Sequence, residues 1–218
     1  MKKELYFILL VFIALTSCNL IQTDTTNSKI IYQDNLKVDQ KTWTSDSTNL
    51  HVRKFYQGHY SLKVDSMNII SYSIAPYGTL NFPYSVQVDA TAILDNSDMR
   101  GNVGIVFNFI DKSNFDVAEI STNGTYHLWS KVDGDNENIV SSTISSAINS
   151  GSGSKNTLKL IQTSDSLVVQ INSITVGSFP VSIDDSYLSV GVCTSTVTND
   201  FTPVTGLFNN FILSKLDD

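Results

Sequence analysis

FPYSVQVDATAILDNSDMRGNVGIVFNFIDKSNFDVAEISTNGTYHLWSKV, residues 82–132, decides how the rest of the chain is read. In its first part Phe82, Tyr84, Val86, Val88, Ala90 and Ala92 are apolar, with Ser85, Gln87, Asp89 and Thr91 between them. A period of two marks a strand with one face on a core and the other on water. Turn residues Asp95-Asn96-Ser97-Asp98 follow, and the next run places Val103, Ile105, Phe107 and Phe109 on one face. Asp111-Lys112-Ser113-Asn114 turns the chain into FDVAEIS, and Asn123-Gly124, a favoured hairpin dipeptide, turns it into TYHLWSKV. Four strands joined by short turns predict an antiparallel meander.

Outward from this stretch no helical periodicity occurs. Shorter runs predict strands over 30–33, 50–55, 60–64 and 69–74 before it, and over 139–145, 157–163, 167–171, 174–181, 188–193 and 206–213 after it. Gln57-Gly58, Ser164-Asp165, Asn172-Ser173 and Asp184-Asp185 punctuate them as turns. Many short strands at regular spacing predict an all-β protein, an antiparallel β-sandwich of the jelly-roll kind, with residues 30–218 as one domain. The Gly- and Ser-rich patch at 150–154 has similar strands on both sides and reads as a loop.

The amino terminus reads as an address. Lys2 and Lys3 precede an apolar run from Leu5 to Leu15, too short for a comfortable membrane span and suited to a signal-peptide core. Leu15-Thr16-Ser17-Cys18 looks like a bacterial lipobox, so residues 1–18 are expected to be a lipoprotein signal and Cys18 the acylated residue. Ordinary secretory cleavage beside an incidental cysteine is the alternative. Residues 19–29, polar and threonine-rich, then form a tether, and the expected location is the bacterial cell envelope, with membrane lipid as the partner of Cys18. The formal charge of −7 and the lack of a basic run argue against nucleic acid. Cys193 is the only other cysteine and reads as a small packing residue on the face opposite Leu188, Val190 and Val192.

The order of these signals is familiar. Tyr32-Gln33-Asp34 with Trp43, Gln57-Gly58-His59-Tyr60, Gly104-Ile105-Val106-Phe107, Asn114-Phe115, Glu119-Ile120, Gly124-Thr125-Tyr126-His127-Leu128 and Phe208-Asn209-Asn210-Phe211 together resemble a concanavalin A-like or laminin-G-like jelly roll. The chain looks like the laminin-G-like and 3-keto-disaccharide hydrolase group of bacterial domains. This resemblance implies a lipoprotein domain that binds carbohydrate, with a glycosidase of that type as the enzymatic alternative. Asp116 stands where the pattern favours an aromatic residue, and Asn209 where it favours Asp.

Candidate chemistry is sparse. Laminarinase-type enzymes on this fold carry an E-x-D-x-x-E strand, and retaining hydrolysis needs two carboxylates about 5–5.5 Å apart. Here only Asp116 and Glu119 come near that pattern, and a spacing of three puts them on opposite faces of a regular strand. No G-x-S-x-G elbow accompanies the three histidines, and His51 and His59 read as solvated. Asp133-Gly134-Asp135-Asn136-Glu137 alternates acids as a calcium loop would, but Asp-Gly is also a hairpin turn, which is the preferred reading. No catalytic residue, metal or cofactor is assigned. Trp43 is expected to plug the sandwich.

In TYHLWSKV, Tyr126, Leu128 and Val132 are expected on the buried face and His127, Trp129 and Lys131 on the other. A tryptophan on a solvated sheet face is a platform for a sugar ring, with His and Lys placed to bind hydroxyls. The competing reading has a loop or sheet covering Trp129. The expectation is therefore a lipid-anchored envelope protein that binds polysaccharide or oligosaccharide without catalysis. A hydrolase, or a structural or protein-interaction surface module, is the alternative.

Overall fold

Period-two patterning becomes extended backbone almost throughout the computed structural model, which describes residues 28–181, 188–196 and 202–217. The expected signal, Cys18, most of the tether and the Asp184-Asp185 turn lie outside the described residues. In chain order the strands are β1 (Ser28–Asp34), β2 (Asp46–Ser47), β3 (His51–Tyr56), β4 (His59–Val64), β5 (Ile70–Ile74), β6 (Tyr84–Leu94), β7 (Asn102–Asp111) and β8 (Asn114–Ser121). There follow β9 (Thr125–Val132), β10 (Asp135–Ile144), β11 (Lys155–Gln162), β12 (Ser166–Ile171), β13 (Ile174–Pro180), β14 (Ser189–Ser195) and β15 (Val204–Leu216). Ser28 and Lys29, assigned above to the tether, already pair with the end of β15.

The strands form two antiparallel sheets. One runs β13-β12-β11-β6-β15-β4-β3-β2, with β1 added along β15; the other runs β10-β9-β8-β7-β14-β5. Between them Tyr84, Val86, Val88 and Ala90 of β6 face Val103, Ile105 and Phe107 of β7 across a single core, which Leu128, Leu160 and Phe208 also join. Burying each such aliphatic or aromatic side chain contributes about 1.5–3 kcal/mol, which makes this layer the main source of stability. The fold is the expected all-β antiparallel sandwich, a concanavalin A-like jelly roll. Trp43 is in its core, edge-on to Phe211 and donating its indole N–H to Asp34 at 3.1 Å.

The meander differs from expectation by one strand. β6 does not pair with β7; it lies in the opposite sheet between β11 and β15, and the four-strand meander is β7-β8-β9-β10. Both registers bury the same alternating residues, so patterning alone cannot separate a sheet neighbour from a facing strand. The residues between β6 and β7 span the sandwich, whereas the later connections are hairpins. Asp133-Gly134 is a two-residue hairpin turn with φ of 50° and 94°, and Asp135 to Glu137 are already strand, as the turn reading required. Thr122-Asn123-Gly124 closes the preceding hairpin, with Gly124 at φ 84°.

Candidate functional site

The outer face of the six-stranded sheet carries a second cluster, apart from the main core. Register sets Tyr72, Cys193, Gly104, Glu119 and His127 in one row across β5, β14, β7, β8 and β9. The adjacent row holds Ile74, Gly191, Val106, Val117, Trp129 and, on β10, Asn138. Val106, Phe115, Val117 and Cys193 are buried in this outer layer, and Tyr72, Phe109 and Trp129 pack against them. Four of the rings touch in sequence: Phe109 and Phe115 each lie 5.4 Å from Tyr72, and Trp129 is edge-on to Phe115 at 5.9 Å. Offset and edge-on packing of this kind is worth about 0.5–1.5 kcal/mol per pair beyond burial.

Beside the aromatic strip opens a depression of about 530 Å³. Its walls include Asn68 and Ile70 at one end, Asn136 and Asn138 at the other, and Glu119, His127, Trp129 and Lys131 between. The three residues selected from the sequence therefore do share one site. Trp129 is neither bare nor covered. It is partly buried against the outer cluster, edge-on to Phe115, and its Nε1–H points to Glu119 Oε2 at 3.4 Å.

Glu119 is the centre of the polar wall. Its side chain is 1% exposed, and His127 Nε2 lies 3.1 Å from Oε2. Asn102 Nδ2 donates to the same oxygen at 3.4 Å and to Ser195 Oγ at 3.1 Å; the Cys193 thiol points at Oε1 from 3.8 Å. Burial alone would push the Glu119 carboxyl up, but the hydrogen bond and charge of His127, helped by Ser195 and Trp129, hold it below the usual range. Burial likewise pushes His127 down, and Glu119 more than reverses this, so the imidazolium is favoured. Cys193 is driven well up by burial and by the carboxylate above it, which leaves an inert thiol. The packing role expected for Cys193 holds.

Gly104 makes room for this carboxylate. A Cβ there would lie 2.2 Å from the Ala118 carbonyl oxygen and 2.9 Å from Cγ of Glu119. Asp116 and Glu119 occupy opposite faces of β8, as their spacing of three predicts. Asp116 faces the other way, accepting from Asn108 at 2.7 Å and Ser130 at 2.6 Å. What sequence reasoning missed was that a lone carboxylate can hold a site together. The signal was available: residues 115, 117 and 119 share a face, and a hairpin register sets Glu119 beside His127.

Other expectations need correction. Val132 is 44% exposed, because β9 runs past the edge of the core before it turns. Neither His51 nor His59 is freely solvated: His51 Nε2 lies 3.7 Å from Asp46, and His59 Nδ1 is bonded to Asn209 Oδ1. Asn209 donates to the carbonyls of Gly58 at 2.9 Å and Asn35 at 3.3 Å, so its amide fastens the β15 bulge to two loops. Aspartate, favoured at this position in the jelly-roll pattern that the chain resembles, has no donor for this task.

Two acidic residues, Glu119 and Asp135, line the depression, and Glu119 is fully engaged by its neighbours. Ser195 is next to Asn102, and among the described residues no hydrogen bond joins it to His127, so no nucleophile–base pair is assembled.

Comparison with solved structures finds the same architecture in several proteins. The chain is similar to the carbohydrate-binding module CBM66 from Bacillus subtilis, with a TM-score of 0.58 and 16% identity over 80% of this chain and 96% of that one. It is similar to the catalytic domain of a laminarinase, an endo-1,3-beta-glucanase from Thermotoga petrophila, with a TM-score of 0.60 and 6% identity over 88% of this chain and all of that one. The potassium-bound Emp46p carbohydrate recognition domain superposes with a TM-score of 0.59 at 12% identity, over 83% and 94% of the two chains. At such identities the likeness shows the fold alone. No protein-family model matches the chain, and no curated protein is similar to it in sequence.

Proposed function

We propose that this protein binds carbohydrate on the outer face of its six-stranded sheet and performs no catalysis on it. The observation that carries this reading is the strip of touching aromatic rings, Tyr72, Phe109, Phe115 and Trp129, beside a depression walled by amides, an imidazolium and an ammonium. Sugars present apolar ring faces and a rim of hydroxyls, and this surface offers a counterpart to each. Solved structures with this fold include a carbohydrate-binding module and a carbohydrate recognition domain, which supports the same reading. Glu119, the buried carboxylate of the depression, is engaged by His127, Trp129 and Asn102, which favours binding over glycoside hydrolysis, because hydrolysis needs a free carboxyl group on each side of the bond.

The lipobox-like Leu15–Cys18 stretch completes the proposal: acylated Cys18 anchors the domain in a bacterial cell envelope, with residues 19–27 as a tether to the sandwich. Screening the protein on an array of acidic and neutral glycans tests the binding claim. Wild type is expected to bind a restricted set, and Trp129→Ala to lose it while remaining folded. The half-buried ring predicts a stability cost of about 2 kcal/mol, below that of a core tryptophan. Array binding unchanged in the folded variant would refute the site.

A further inference from the structure

The pleat sorts the charges of the β9–β10 hairpin onto two faces. His127 and Lys131 point to the outer face with Trp129 between them, as expected for alternate residues of one strand. Glu137 pairs with Ser130 and so alternates to the opposite face from Lys131, while Asp135, which pairs with Val132 beside the turn, lines the end of the depression without an ion pair to Lys131. Lys131 itself pairs with Asn136, an amide.

Glu119, the buried carboxylate of the outer face, is consumed. Its oxygens take His127, Trp129, Asn102 and the Cys193 thiol, and its side chain is 1% exposed, so it presents no acceptor to a ligand. The Lys131 ammonium sits 6.0 Å over the Phe115 ring, which holds it near the floor of the depression. Among the described residues it makes no ion pair. Lys131 thus presents an ammonium without an ion-pair partner next to an aromatic platform, with the Glu119-paired imidazolium of His127 on the far side of the indole. Along the strand these two cations are about 13 Å apart, a span suited to an oligosaccharide.

We infer that the glycan bound here is acidic, carrying a carboxylate or sulfate that pairs with Lys131 while a neighbouring sugar ring packs on Trp129. This rests on the carbohydrate-binding reading of the same site. Lys131 is accordingly the residue that sets specificity, because a neutral sugar covering the ammonium leaves it without a counter-ion. The pairing is charge-assisted and partly screened by salt.

The array separates this inference from its premise. Hits are expected among glycans bearing a uronate, sialate or sulfate. Their carboxyl-reduced or desulfated counterparts should bind at least tenfold more weakly, and comparing the carboxylate and sulfate arms identifies the anion. Lys131→Gln should erase the preference and its salt dependence, and Lys131→Arg should restore both, with urea melts showing each variant folded. Equal binding of neutral counterparts, or a preference that survives Lys131→Gln, would overturn the acidic-ligand assignment while leaving carbohydrate binding intact. No binding to any glycan, acidic or neutral, would overturn both.

Discussion

At the scale of residues, His127 and Glu119 govern each other. Glu119 is buried, and removing its cation would strand a charge in the sheet, so His127→Ala should cost about 3 kcal/mol near neutral pH. The pH dependence follows from the two shifts. His127 is raised in the folded state, so its contribution is complete below about pH 6.5 and is lost as pH climbs through the folded value. Glu119 is lowered, so its contribution is present above about pH 4.3 and is lost as pH falls through the folded value. The pair therefore stabilises most between those two limits. In His127→Ala the deficit should shrink in acid, where Glu119 accepts a proton, and His127→Ala/Glu119→Gln should recover part of it. Urea melts across that range check this, and a deficit independent of pH would count against the ion pair.

At the scale of elements, what could be read in advance was what alternation and turn chemistry encode. Asp133-Gly134 and Gln57-Gly58 are hairpin turns because both residues of each turn adopt positive φ. The outer face of β9 was legible because Tyr126 and Leu128 leave His127, Trp129 and Lys131 no other side. Pairing between sheets was not legible, since β6 shows the same pattern whether it neighbours β7 or faces it. Nor was Glu119, whose partners come from β7, β9 and β14 through registers that no local pattern states. The β15 bulge is another long-range feature: Asn209→Asp would set a carboxylate against two carbonyl oxygens. Its expected cost is about 1–2 kcal/mol by denaturant melt, and an unchanged midpoint would mean that the amide fastens nothing.

At the scale of the whole molecule, the sandwich brings six strands together to build one shallow outer face, and the proposed anchor would present that face from the envelope. Cys18→Ser is expected to abolish lipid labelling and release the protein into the soluble fraction. Unchanged membrane association would contradict the anchor. The carbohydrate claim has a more direct reporter, because the chain has two tryptophans in contrasting places. Trp43 is 3% exposed in the core, while Trp129 is half-buried at the depression. Titrating the protein with a glycan it retains on the array should shift or quench tryptophan emission. That response should vanish in Trp129→Phe, which keeps a ring in place and leaves Trp43 as a silent control. A ligand-induced change that persists in Trp129→Phe would place the binding surface elsewhere on the sandwich.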